Sequence, residues 1–171
     1  MARELSVLLR TPLRPYLLNF KDDDLNIDKK LDLEIKIEDK TACFRYIAVK
    51  INKVKAVESP YWLKERLIAV GARPINALVD ITNYVMLELG QPLHAFDANG
   101  LEKITIRASK EGESLETLDD KERLLPANSI VITDGFEPIA LAGIMGVKRC
   151  AINFETNSII LEAASFEAVR V

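Results

Sequence analysis

The stretch that most constrains this chain is residues 73–97, RPINALVDITNYVMLELGQPLHAFD. Asn76 suits a helix N-cap, and Leu78, Ile81, Val85 and Leu89 recur at helical spacing as an apolar stripe. Gly90 stops the pattern, and Pro92 follows two residues later. The spacing predicts a helix over 77–89 and then a loop carrying Gln91-Pro92-Leu93-His94. A second helix is expected just upstream. Ser59 suits the cap, Pro60 the first turn, Leu63, Leu67 and Val70 share a face, and Gly71 ends it.

Strand patterns flank this helical pair. Leu31, Leu33, Ile35 and Ile37 alternate with Asp32, Glu34 and Lys36, the period of a half-buried strand. Further strands are expected at 46–51, 103–108, 129–133, 139–144 and 158–162, with turn signals at 97–100, 119–120 and 134–135. Helices in the middle and strands on either side predict an α+β fold. Its expected form is a layered β/β/α domain with mixed or antiparallel sheets and a central pair of helices. A short helix at 3–10, a charged connector around Asp22, Asp23 and Asp24, and a first strand make up an expected segment 1–40. Residues 41–171 form the main domain, and the whole is expected to be a single globular body.

Several function classes are disfavoured. A net charge of −3 argues against holding nucleic acid by charge alone, though not against receiving only its end. Residues 139–147, the longest apolar stretch, fall far short of the roughly 20 that a membrane span requires. Cys43 and Cys150 lie far apart without metal-ligand spacing, so neither a metal site nor a cofactor is expected. With no secretion signal, a cytoplasmic protein is expected.

Six residues stand out as site candidates. His94 is the sole histidine. A lone histidine is usually a packed or surface residue, but a loop position after a helix also suits a functional group. Glu162 interrupts the apolar run 159–164, where a carboxylate is costly without a partner unless it points outward. Thr82 and Asn83 break an otherwise apolar helix and either face a pocket or belong to a polar face with Asp80 and Glu88. Gly143 and Gly146 serve tight turning, close approach of backbone to a ligand, or both. No serine or cysteine shows a base and an orienting partner, so covalent catalysis has little support.

Residues 73–97 resemble the central segment of the editing (B3/B4) domain of bacterial phenylalanyl-tRNA synthetase beta subunits. Other pieces agree in order. Ala2-Arg3-Glu4-Leu5 is similar to the helix leading into that domain, and Ser59-Pro60-Tyr61-Trp62-Leu63 to the start of its first helix. Cys43-Phe44-Arg45-Tyr46 resembles the family's Cys-Pro-Arg-Tyr, with Phe44 replacing proline. Residues 140–146, ALAGIMG, resemble its glycine loop, and Ile160-Leu161-Glu162-Ala163-Ala164 with Phe166 the strand that follows. Val147 stands where the family usually has a second glycine. Valine does not readily adopt positive φ, so a differently shaped loop is expected there.

The resemblance implies hydrolysis of tyrosine wrongly attached to phenylalanine tRNA, with the aminoacylating site on the alpha subunit. A noncatalytic RNA-binding or subunit-assembly module of the same fold is the alternative. It implies that Glu162 reads the tyrosine phenol and that His94 positions substrate or water. Gly143, Gly146, Thr82 and Asn83 would bind the substrate. The implied partners are the mischarged 3′ end of phenylalanine tRNA and the synthetase alpha subunit.

Overall fold

Asn76 begins the best-defined helix. Its side-chain oxygen accepts hydrogen bonds from the Leu78 and Val79 amides, both at 3.1 Å, as an N-cap should. The computed structural model describes residues 2–13 and 33–171. The chain divides into two compact units, Met1–Lys30 and Leu31–Val171. In the first, helix α1 (Ala2–Leu8) buries no side chain. The expected charged connector, and Leu31 and Asp32 of the expected first strand, lie outside the described residues. The remaining elements belong to the larger unit.

Its strands are β1 (Glu34–Ile37), β2 (Cys43–Asn52), β3 (Leu93–Asp97), β4 (Lys103–Ala108), β5 (Ser114–Glu116), β6 (Glu122–Leu124), β7 (Ile130–Thr133), β8 (Pro138–Leu141), β9 (Met145–Gly146) and β10 (Ser158–Phe166). A five-stranded sheet runs in the order β1-β4-β7-β8-β9. There β1 lies parallel to β4, and the other neighbours are antiparallel. A second, antiparallel sheet has the order β2-β10-β3, and β5 and β6 form a hairpin. The expected strand over 139–144 is broken, because residues 142–144 form the turn that joins β8 to β9.

One core unites the two large sheets. Ile104, Ile106, Ile132 and Ile139 come from the five-stranded sheet, and Tyr46, Phe96 and Ile160 from the three-stranded one. Phe96 and Ile160 stand directly opposite each other and are fully buried. Burial of such a side chain contributes roughly 1.5–3 kcal/mol. Successive side chains on a strand point to opposite faces, so Ala95 and Ile159 face away from this core. They are nonetheless buried, as are Leu63 and Leu67 of helix α2 (Tyr61–Ala69). These residues lie outside the main cluster and mark a second apolar layer, where helix α3 (Ala77–Leu89) contacts β3 and α2. The architecture is α+β, with two facing sheets and a helical layer on the smaller one.

The helices depart from expectation in what they bury. Ile81 and Leu89 of the expected stripe are 50% and 52% exposed, whereas Asp80 and Thr82 are buried. The reason is polar. The Asp80 carboxylate accepts hydrogen bonds from the Ser59 hydroxyl and the Ile75 amide, tying together the starts of α2 and α3. Ser59 therefore does not cap α2; Pro60 holds that position without a side-chain bond. Val70 follows the end of α2 and is exposed.

Candidate functional site

Strand pairing, not a loop, positions His94. Residues 91–94 were expected to form a loop, yet Leu93–Asp97 pairs along β10 with Glu162 directly opposite His94. The alternation explains this: His94 and Phe96 face the inter-sheet core, while Leu93 and Ala95 face the helical layer. Residues opposed in an antiparallel pair have β-carbons about 4.5–5.5 Å apart. Imidazole and carboxylate therefore emerge side by side.

They open onto a cleft of about 550 Å³, large enough for an amino-acid side chain. His94, Glu162, Asn83, Gly143 and Gly146 all line it. Leu141, Met145 and Phe166 give it apolar walls. Thr82 is not among the lining residues. Its hydroxyl is buried and donates to the Val79 carbonyl at 2.7 Å, one turn back in the same helix. Thr82 and Asn83 were expected either to face a pocket or to belong to a polar face; neighbours on a helix point about 100° apart, and of the two Asn83 reaches the cleft.

The two glycines serve different ends. Gly143 adopts φ +72°, which lets the β8–β9 turn close, and a β-carbon there would lie 2.9 Å from Cγ1 of Val171. Gly146 has no positive φ; a β-carbon there would lie 2.8 Å from Nε2 of His94. Val147 is extended at φ −96° and ψ 155°, buried, with its amide donating to the Ile139 carbonyl. Valine adopts that extended conformation without strain.

Burial governs the charges. Glu162 is 7% exposed, and loss of water pushes its carboxyl up to about 7. The opposing influence is a hydrogen bond from the Tyr46 hydroxyl to Oε2, at 3.1 Å. Burial also lowers His94 to about 4, so its imidazole is neutral at physiological pH. The His94 ring meets Phe96 edge-on at 4.5 Å between centroids. Cys43 is buried with its thiol pushed up, first by desolvation, and is a poor nucleophile. Tyr46 is the site residue to which sequence reasoning gave no role. The motif containing it was visible, but its contact with Glu162 spans 116 residues of sequence and only the fold reveals it.

Among the described residues, no group of three or more His, Cys, Asp or Glu is arranged to hold a metal ion. No described helix is long and apolar enough to cross a membrane.

Fold and cleft together define an α+β domain with a buried acid and a neutral histidine facing a side-chain-sized cavity. Residues 42–171 match the B3/4 domain, and the chain belongs to that family. It is 46% identical over its full length to a "Phenylalanine--tRNA ligase beta subunit" of Protochlamydia amoebophila, spanning 21% of that protein. It is 41% identical to the protein of that name from Thermotoga maritima, again over its full length and 21% of the relative. The chain thus spans about one fifth of the length of the curated relatives it matches. Among solved structures, an N-terminal fragment of the phenylalanyl-tRNA synthetase beta-subunit from Pyrococcus horikoshii superposes with a TM-score of 0.60. That match covers 85% of this chain and 46% of the other, at 10% identity, and bears on the fold alone.

Proposed function

We propose that this chain is the editing domain of a phenylalanyl-tRNA synthetase beta subunit and hydrolyses tyrosine wrongly esterified to phenylalanine tRNA. The observation that carries the reading is the pair Glu162 and His94, opposed across β3 and β10 at an apolar-walled cleft.

A synthetic pocket shaped for phenylalanine rejects tyrosine weakly, since tyrosine merely adds a hydroxyl. A second site that binds that hydroxyl discriminates strongly, because phenylalanine would leave its buried polar group unpaired. Glu162 is such a group. Its carboxylate accepts the phenol O–H of a tyrosyl ring lying between the apolar walls. Asn83 and neutral His94 hold the amino-acid end or the attacking water. His94, protonated only near pH 4, suits positioning better than proton abstraction. Water adds to the ester carbonyl, the bond to the ribose oxygen breaks, and that oxygen leaves with a proton as the free hydroxyl. An ester this labile requires chiefly orientation. No cofactor enters this reading. The implied partners are the 3′ end of phenylalanine tRNA and the synthetase alpha subunit, in the cytoplasm.

The test is single-turnover deacylation by the full beta subunit with its alpha partner. Wild type should release tyrosine from phenylalanine tRNA much faster than phenylalanine, and His94→Ala should slow release by about tenfold or more. Equal, uncatalysed rates for both esters would favour a noncatalytic RNA-binding or assembly role. A full wild-type rate for His94→Ala would remove the histidine from the mechanism.

A further inference from the structure

Glu162 has two oxygens, and the fold has already committed one. Tyr46 on β2 donates its hydroxyl to Oε2 at 3.1 Å. Tyr46 lies opposite Ala164 and Glu162 opposite Ala48, so the bond runs diagonally across the β2–β10 pair. Both side chains are buried, at 9% and 7% exposure. Glu162 lines the cleft and Tyr46 does not. The phenol therefore grips the carboxylate from behind, within the inter-sheet core that Tyr46 shares with Phe96 and Ile160.

We propose that Tyr46 is a positioning residue that determines specificity, holding Oε2 of Glu162 so that Oε1 is presented to the cleft as the acceptor of a substrate phenol. This rests on the reading of Glu162 as the phenol reader. A carboxylate oxygen bonded from one side cannot rotate away, and a preorganised acceptor discriminates better than a mobile one. Donation also favours the charged form of Glu162, the form that accepts a phenol hydrogen bond most strongly. The groups around Glu162 leave this effect legible. From β2 come Tyr46 and Cys43, both pushed upward and neutral near pH 7, and from β3 comes neutral His94. The glycine turn, residues 143–146, contributes no titratable side chain. Between pH 6 and 8 Glu162 is the group here that titrates.

The experiment uses the full beta subunit with its alpha partner. Deacylation of Tyr-tRNA and Phe-tRNA is followed from pH 5.5 to 8.5 in wild type, Tyr46→Phe and Glu162→Gln. For Tyr46→Phe the preference for tyrosine should fall about tenfold at pH 7, and the pH at which it is half developed should rise by about one pH unit. The fall should come through slower hydrolysis of the tyrosine ester. Because Tyr46→Phe leaves a buried gap in hydrogen bonding, a second variant carries 3,5-difluorotyrosine at position 46, a stronger donor of nearly the same shape. Its half-developed pH should fall below that of wild type. If both Tyr46 variants keep the wild-type preference and pH midpoint while Glu162→Gln loses the preference, the role of Tyr46 is overturned and the reading of Glu162 stands. If Glu162→Gln also keeps the preference, that reading fails and the role of Tyr46 fails with it.

Discussion

The backbone of Gly146 lies against the imidazole of His94 so closely that a β-carbon would sit 2.8 Å from Nε2 and 3.0 Å from Cε1. The β8–β9 turn and strand β3 thus share one wall of the cleft, and the position excludes any side chain. Gly146→Ala should displace the His94 ring and lower deacylation of the tyrosine ester by about tenfold or more, since a misplacement near 1 Å is costly in a positioned reaction. Rate and melting temperature measured together check this. Lost activity with a melting point within a few degrees of wild type is expected.

His94 and Glu162 also make opposite contributions to stability with pH. Glu162 is raised from 4.5 to about 7, so the folded chain keeps a proton that the unfolded chain releases. Stability from this group is fully present below pH 4.5 and is lost as pH rises to 7. His94 is lowered from 6.5 to about 4, so its contribution is full above pH 6.5 and is lost as pH falls to 4. Each amounts to about 3 kcal/mol, and between pH 4.5 and 6.5 the two slopes cancel. Glu162→Gln should therefore make stability rise with pH across that window, and His94→Gln should make it fall. Denaturant unfolding at several pH values reads both slopes.

Asp80 anchors the helical layer through Ser59 and the Ile75 amide. Asp80→Ala leaves a buried hydroxyl and an amide without their acceptor and should cost about 2–4 kcal/mol. Ile81→Ala, at a half-exposed position on the same helix, should cost well under that. Denaturant midpoints of the two variants rank them.

A net charge of −3 gives the isolated chain little to hold a tRNA body. Binding of phenylalanine tRNA to this segment alone should be weak already at about 50 mM salt, as a filter-binding series at about 50 and 200 mM salt would reveal. Tight, salt-insensitive binding would contradict the picture of a module that receives only the tRNA end.

Some of this was legible in the sequence because local chemistry and tertiary context agree. Asn76 and Gly90 bound α3 where their capping preferences place it, and β4 spans the expected residues 103–108. The stripe on α3 misled because Asp80 is drawn inward by two long-range donors that no periodicity records. Strand β3 was missed because five residues after a proline carry little pattern until β10 supplies their partners. In the cleft, His94, Glu162 and the glycines stood out by type and resemblance. Thr82, adjacent to Asn83 on the helix, turns to the Val79 carbonyl instead of the cleft, and Tyr46 was hidden by sequence distance.

The central claim is that Glu162 distinguishes tyrosine from phenylalanine by its hydroxyl. The most direct measurement is the ratio of deacylation rates for Tyr-tRNA and Phe-tRNA at pH 7.5, in wild type and Glu162→Gln, with folding verified by melting temperature. The account predicts that the ratio falls by about tenfold or more through slower release of tyrosine. An unchanged ratio in a folded Glu162→Gln protein would contradict it.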